Sequence, residues 1–168
     1  TSKYQSSGWW KAYKQVQRMI KTCPHKYLPD HYTKSIYIDG DRELTQKIFV
    51  KDIDKLLQDV DIVCYKNPNY RGNPQTVKNE YRAILNERFE KKENLDKIME
   101  IMKENNFPDN IGLSETSMLI RNHKNIKEFS NKWSEFVQIC IRDQMSFEYC
   151  LWKYNVKFKR FSFNNRPT

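Results

Sequence analysis

Residues 35–41 constrain the fold most strongly, because a short apolar run there ends abruptly in Asp39-Gly40-Asp41. The run is rich in β-branched and aromatic residues, which favour a strand, and Gly40 permits a tight turn and close ligand approach. Two carboxylates that converge at a strand end are hard oxygen ligands suited to Mg²⁺ or Mn²⁺. They fill only part of an octahedral shell, so a diphosphate is the natural further ligand. An ordinary Asp-Gly turn without a metal is the alternative.

Length and composition predict a single domain over residues 1–168. The chain is 38% hydrophobic and 30% charged, a polar balance that still supplies a core, and it has only 4 glycines and 6 prolines. No apolar run is long enough to cross a bilayer, which predicts a soluble domain. Because the chain starts with Thr1 and shows no leader, we expect it to come from a longer protein.

The four cysteines, Cys23, Cys64, Cys140 and Cys150, lack the paired short spacing of zinc sites. Most lie in apolar surroundings, so they are predicted to be small core residues in a reducing compartment. In an oxidising compartment one or two disulfides are the alternative, and the sequence does not choose between these cases.

The formal net charge of +9 predicts attraction to polyanions, whether nucleic acid, membrane headgroups or a small phosphorylated molecule. Most basic residues alternate with acidic ones in helical segments, a pattern typical of solvated helix faces. Only residues 157–161 mix cations and aromatic rings densely. This segment supports one functional hypothesis, a nucleic-acid-binding module without catalysis that uses Phe158, Phe161 and Phe163.

Alternating helix and strand patterns predict an α/β fold with a mixed sheet. Four strands are predicted: one that ends at Asp39 and three that cover residues 60–65, 117–120 and 156–163. The predicted helices cover residues 9–19, 53–57, 77–88, 95–102, 126–140 and 145–154. Asp52 and Asn125 are predicted to cap the second and fifth of these helices. Asp143 is expected to cap the last one by accepting backbone N–H bonds.

Two further carboxylates are candidates for chemistry. Asp143, next to Arg142 at a helix start, is suited to act as a base or to accept a hydrogen bond from a substrate. Glu115 stands at the entry to a predicted buried strand, where an acidic side chain needs a partner or a function. A solvated or salt-bridged loop carboxylate is the alternative for Glu115.

Several motifs follow one another along the chain. An Arg-Asp-Gln-x-Ser-Phe signature occupies residues 142–147 and is the most specific, and a Gly-Leu-x-Glu-Thr element occupies residues 112–116. The other motif positions are Arg18, Lys21, Pro24, His25, Lys26, Ser35, Asp39, Gly40, Asp41, Arg71, Glu80, Arg121, His123 and Trp133. From about Trp10 to Phe161 the chain thereby resembles the GT-A glycosyltransferases. The most similar group is the glycosyltransferase-like domain of plant Golgi proteins linked to pectin and mucilage and of bacterial polysaccharide-cluster enzymes.

The resemblance implies a GT-A-like, Rossmann-like mixed central sheet flanked by helices. It also implies transfer of a sugar from a nucleotide-sugar donor to a carbohydrate or other hydroxyl acceptor. Asp39 and Asp41 would form the Asp-x-Asp element that holds Mn²⁺ or Mg²⁺ on the diphosphate, where the metal acts as a Lewis acid on the leaving group. His25 or His123 would complete the metal shell; alternatively, either would be a structural hydrogen-bonding histidine.

The resemblance further assigns donor and catalytic contacts. Basic and polar side chains would join Asp39 in binding the donor and its phosphates. These are Arg18, Lys21, Arg121, Arg142 and Gln144. In an inverting reaction one carboxylate deprotonates the acceptor hydroxyl, and Asp143 is the first choice for this base and Glu115 the second.

Two features depart from the family pattern. Asn67 stands where a loop histidine is usual, and the resemblance begins after the first strand and helix of a GT-A fold, which help bind the nucleotide. Either these two elements precede Thr1 or are left out of this numbering, or this fragment does not bind its donor normally. The sheet is therefore expected to lack its first N-terminal strand in this numbering. The domain would be cytoplasmic, or lumenal if it belongs to an anchored Golgi protein. A metal nuclease that uses the same carboxylates is a third hypothesis, with less support than the transferase.

Overall fold

A computed structural model describes residues 8–40, 50–68, 75–87 and 90–162. Within these ranges the helices are α1 (Gly8–Thr22), α2 (Val50–Leu56), α3 (Val77–Glu87), α4 (Lys92–Glu104), α5 (Lys127–Ile139) and α6 (Asp143–Lys153). The strands are β1 (Lys34–Ile38), β2 (Ile62–Lys66), β3 (Ser114–Asn122) and β4 (Phe158–Phe161), with short 3₁₀ turns at Pro24–Lys26 and His123–Asn125. The predicted functional positions Asp41, Arg71 and Phe163 lie outside the described residues.

The described strands form one mixed sheet in the order β1-β3-β2-β4. Strand β3 runs antiparallel to both of its neighbours, β1 and β2, whereas β2 runs parallel to β4. Because β3 has a strand on each side, most of its residues are buried. The arrangement confirms the predicted mixed α/β class, a sheet flanked by helices.

Alternate side chains of β2 enter two hydrophobic clusters on opposite faces of the sheet. Ile62 and Cys64 join the larger cluster, which also holds buried residues of α3 to α6. Val63 joins a smaller cluster with Leu57, which follows α2. The larger cluster includes Trp133 of α5, which is completely buried. The strand period of two thus explains why helices cover both faces of this sheet.

Two of the predicted helix caps are wrong. Asp52 lies in the first turn of α2 rather than in front of it. Asn125 ends the 3₁₀ turn that precedes α5, and its amide donates to Asp61 instead of capping the helix. For Asn125, the reason is that a 3₁₀ turn forms before α5. The Asn122 side chain caps that turn by accepting a hydrogen bond from the Lys124 N–H.

Strand β3 has nine residues and begins earlier than predicted, because it includes buried polar residues that an apolar pattern misses. Among these, the Ser114 N–H donates to the carboxylate of Glu148, and the Thr116 hydroxyl donates to Asp143. Strand β4 is shorter than predicted and ends at Phe161. Pairing with β2, of Ser114 with Lys66 and of Glu115 with Tyr65, extends β3 beyond its apolar part.

All four cysteines are buried and free, which confirms the prediction that they are small core residues. Burial raises the pKa of the Cys64 and Cys140 thiols to about 12. Within the described ranges, no helix combines the length and apolar character needed to span a membrane.

Candidate functional site

A polar cavity of about 460 Å³ lies where β1 ends, at Asp39 and Gly40. The rest of its described lining comes from one face of α1, from the first residues of β3 and from the start of α6. The cavity thus gathers residues that are more than 100 positions apart in the sequence.

Helix α1 turns a polar face toward the protein. Four of its residues share one helical face because they are spaced three or four positions apart, and all line the cavity: Lys14, Gln17, Arg18 and Lys21. Tyr13, Val16 and Ile20, in contrast, are exposed. A surface helix usually buries its apolar stripe, so α1 is unusual in burying charged side chains instead.

A deeply buried ion pair joins Lys21 and Asp143, whose residues are 1% and 4% exposed. Lys21 Nζ lies 2.6 Å from Asp143 Oδ2, and the Thr116 hydroxyl donates to the same oxygen at 2.9 Å. Lys21 Nζ also donates to Thr116 Oγ1 at 3.2 Å. Burial alone would raise the pKa of Asp143, but the charges of Lys21 and Arg18 outweigh it and lower the pKa to about 2. Asp143 is therefore held ionised.

Arg18 extends this network toward the end of β1. Its Nη2 lies 3.2 Å from Asp143 Oδ1, whereas its Nη1 lies 3.9 Å from Asp39 Oδ1, too far for a hydrogen bond. Nε and Nη1 of Arg18 are buried and have no hydrogen-bond partner in the described part of the chain. Leaving a buried donor unpaired costs roughly 1–3 kcal/mol, so an acceptor that reached these nitrogens would bind favourably.

A register shift in the sheet supplies the β3 residues of the cavity. Cys64 of β2 pairs with Leu119, but the next residue, Tyr65, pairs with Glu115, so residues 116–118 have no partner on β2. Bulges of this kind occur often beside functional sites because they re-aim side chains. Here Glu115 and the residue after it line the cavity at the irregularity.

Asp39 is partly buried where β1 meets the cavity. Its Oδ1 accepts hydrogen bonds from the Tyr37 hydroxyl at 2.7 Å and from the Gln17 amide at 3.4 Å, and Lys21 Nζ lies 3.6 Å from the same oxygen. Burial and the Asp39 carboxylate raise the pKa of Tyr37, so its hydroxyl remains a donor. Among the described residues none donates a hydrogen bond to Oδ2 of Asp39. Within the described part of the chain, Oδ2 of Asp39 is therefore open to a ligand.

The start of α6 is tied to two other elements. Arg142 Nη2 lies 3.3 Å from Glu80 Oε1 of α3, and burial raises the pKa of Glu80 while Arg142 opposes that rise. Gln144 Nε2 donates to the carbonyl of Ser114, the first residue of β3, at 3.0 Å. Two residues of the Arg-Asp-Gln signature thus position α6 against α3 and β3.

Asp143 is not the helix cap that the sequence predicts. It is the first residue of α6. Arg142 precedes it at the N-cap position, and the Arg142 side chain does not cap the helix. The Asp143 carboxylate pairs with Lys21 and Arg18 because charged partners bind it more strongly than backbone N–H groups do. Its carbonyl accepts a hydrogen bond from Trp133 Nε1 at 3.0 Å. Both the backbone and the side chain of Asp143 are therefore fixed.

Two predicted site residues do not line the cavity. Arg121 is 2% exposed and donates to the backbone carbonyl of Lys21, and burial lowers the pKa of its guanidinium to about 10. Arg121 thus supports the last turn of α1 in this structure. His25 lies in a 3₁₀ turn, and burial lowers the pKa of its partly buried ring, which Asn131 opposes. This placement fits the alternative of a structural histidine.

Two residues of the cavity lining, Lys14 and Gln17, are not singled out by the sequence, and the contact that Thr116 makes is not predicted. Lys14 lies four positions before Arg18 and Gln17 four positions before Lys21, so helical spacing was an available signal for both residues. Thr116 belongs to a motif, but nothing in the sequence predicts that its hydroxyl joins a buried ion pair. Two further motif residues are hydrogen-bonded to each other: His123 Nε2 lies 2.8 Å from Ser35 Oγ.

In the described ranges, no three side chains of His, Cys, Asp or Glu are grouped so that they could hold a metal ion. Asp41, the second predicted ligand, falls outside these ranges.

Fold and cavity together define an α/β protein with a charged, polar cavity at a strand end. Comparisons of the chain with protein-family models, curated sequences and solved structures find no match.

Proposed function

We propose that the chain is a metal-dependent glycosyltransferase of GT-A type, which moves a sugar from a nucleotide-sugar donor to a hydroxyl acceptor. The observation that carries this proposal is that motif residues far apart in the sequence line one cavity. Arg18, Lys21, Asp39, Glu115 and residues 142–144 all surround it. If the matches to the separate short motifs were due to chance, there would be no reason for their polar residues to line the same cavity.

The charges of the cavity support an anionic ligand. Four cationic side chains line it, and three carboxylates accompany them: Lys14, Arg18, Lys21 and Arg142, with Asp39, Glu115 and Asp143. Departure of a nucleoside diphosphate builds negative charge on phosphate oxygens, which fixed cations stabilise in a site of low dielectric constant. Arg18 is the best placed of these cations, because two of its nitrogens lack a partner in the described part of the chain.

Asp39 fits the metal that the GT-A resemblance implies. A carboxylate oxygen at a strand end is a suitable ligand for Mn²⁺ or Mg²⁺, and Asp41 would supply a second one. When bound, the metal would supply Lewis-acid stabilisation of the diphosphate. Lys21 and the Tyr37 hydroxyl hold Asp39 in position for this role.

The basic segment at the end of the chain gives less support to nucleic-acid binding. The Arg160 guanidinium donates to the Ser114 hydroxyl and the Ile111 carbonyl, both at 2.8 Å, and it pairs with buried Glu148. It also stacks on the Phe158 ring, 4.6 Å from the centroid. The Arg160 guanidinium is therefore used in contacts within the protein. Fewer cationic groups of this segment remain to contact a nucleic acid.

Calorimetric titration of nucleoside diphosphates and their sugars, with and without Mn²⁺, tests the proposal. We expect one nucleotide to bind the wild type in Mn²⁺, and Asp41→Ala to abolish that binding. Asp30→Ala is the matched control, because Asp30 is an exposed residue outside the cavity lining. Absence of binding to any nucleotide, or equal loss in both variants, would refute the proposal.

A further inference from the structure

Two of the three carboxylates in the described cavity lining, Asp143 and Glu115, have sharply different surroundings. A general base must have a lone pair within about 2.6–3.2 Å of the hydroxyl that it deprotonates. Each oxygen of Asp143 is already engaged by a cation, Oδ1 by Arg18 and Oδ2 by Lys21. Oδ2 also accepts the Thr116 hydrogen bond. Oδ2 therefore has both lone pairs in use, and a substrate hydroxyl could reach only the second lone pair of Oδ1, beside Arg18, on a residue that is 4% exposed.

Glu115 is more accessible. It is partly exposed in the cavity, and its Oε1 accepts one hydrogen bond, from the Ser117 N–H at 3.2 Å. No ion pair within 4 Å joins Glu115 to another described residue. It stands at the register shift between β2 and β3, where the sheet departs from regular pairing. Among the described residues, none therefore occupies the second carboxylate oxygen of Glu115.

We propose that Glu115 is the catalytic base for the acceptor hydroxyl and that Asp143 is a positioning residue that holds Lys21 and Arg18 toward the donor. This inference rests on the proposed transferase function. The acceptor O–H bond breaks and its proton moves to Glu115, while the acceptor oxygen forms a bond to the anomeric carbon. The bond from that carbon to the phosphate oxygen breaks, and the nucleoside diphosphate leaves with the electron pair. The displacement inverts the anomeric configuration.

The proton affinity of Asp143 agrees with this assignment. Since Lys21 and Arg18 lower the pKa of Asp143 to about 2, that carboxylate accepts a proton poorly near neutral pH. Protonation would also leave Lys21 without its counter-ion in a position that is 1% exposed. Asp143 therefore contributes most when it stays ionised throughout the reaction.

The test compares turnover with donor affinity in Glu115→Gln and Asp143→Asn. Release of nucleoside diphosphate from UDP-glucose, UDP-galactose and GDP-mannose is measured with water and with simple sugars as acceptors, and donor binding is measured by calorimetry. For Glu115→Gln we expect kcat to fall about 10²–10⁴-fold, the usual contribution of a general base, with unchanged donor Kd. Glu87→Gln, an exposed glutamate on α3, is the matched control. Formate should partly restore turnover in Glu115→Ala.

For Asp143→Asn we expect weaker donor binding, with kcat at saturating donor within tenfold of the wild type. If that variant does not fold, Lys21→Met/Asp143→Asn removes both charges of the pair and gives the same comparison of kcat. Full activity of Glu115→Gln, or loss of kcat with intact donor affinity in the double variant, would overturn the assignment. A wild type that binds donor but releases no diphosphate would also overturn it. A wild type that binds no donor would refute the proposed function itself.

Discussion

The indole Nε1 of Trp133 donates a hydrogen bond to the backbone carbonyl of Asp143 at 3.0 Å. Trp133 is completely buried in the larger hydrophobic cluster, and Asp143 lines the cavity. This one bond therefore connects the core of the protein to the start of α6. The position of the cavity charges depends on packing that is far from the cavity surface.

Replacing Trp133 by Phe should weaken both the fold and the site. The change removes the hydrogen bond to Asp143 and leaves a small void, which together should cost about 2 kcal/mol in the free energy of unfolding. Urea denaturation followed by circular dichroism measures this change. Trp152→Phe is the control, because Trp152 lies on α6 but is only partly buried. An equal effect of the two substitutions would contradict the role given to Trp133.

Removing Lys21 alone should be more harmful than removing it together with its partner. Lys21→Met leaves the buried Asp143 carboxylate without its closest cation, and breaking such a pair costs about 3–5 kcal/mol. Lys21→Met/Asp143→Asn removes both charges, so its loss of stability should be smaller than the sum of the two single losses. Denaturant unfolding of the four proteins of this cycle gives the coupling. Additive losses would show that the pair is not coupled in stability.

Stability should decrease in acid because of Asp143. Its pKa in the folded protein, about 2, is lower than the ordinary value of 3.8, so the unfolded chain binds the proton more readily. The stabilisation is present above about pH 4 and is lost as the pH falls toward 2, with a size of about 2 kcal/mol. The difference in unfolding free energy between the wild type and Lys21→Met/Asp143→Asn, measured from pH 6 to pH 2, isolates this contribution. A difference that does not change with pH would contradict it.

The four thiols should resist modification in the folded protein. All are buried, and burial raises the pKa of Cys64 and Cys140 to about 12, which suppresses the reactive thiolate. Ellman's reagent should therefore react slowly in native buffer and should report four thiols in 6 M guanidinium. Fewer than four thiols in the unfolded protein would reveal a disulfide. Rapid reaction of the native protein would contradict the burial of these side chains.

Local patterns in the sequence predict much of the fold. The apolar run before Asp39 predicts β1, and stripes of period 3.6 predict α3 to α5, because each depends on neighbours in the chain. The burial of the polar face of α1 is not predictable in this way. Tyr13 and Val16 would be expected to face the core, whereas the structure buries Arg18 and Lys21 instead.

The candidate site is predictable as a set of residues but not as a network. Motifs indicate Arg18, Asp39, Glu115 and Asp143, and the structure places all four around one cavity. The capping role expected of Asp143 is wrong because its partners are Lys21 and Thr116, from α1 and β3. Contacts between elements so far apart in the chain leave no periodic signal in the sequence.

The most direct test of the central claim is to locate the bound nucleotide by NMR. Backbone ¹H–¹⁵N spectra are recorded while UDP or GDP is added with Mg²⁺, a diamagnetic substitute for Mn²⁺. We predict the largest shift changes at Gly40, Thr116 and Gln144, around the cavity. Changes confined to residues 157–161, or no changes with either nucleotide, would contradict the claim that this cavity is the donor site of a glycosyltransferase.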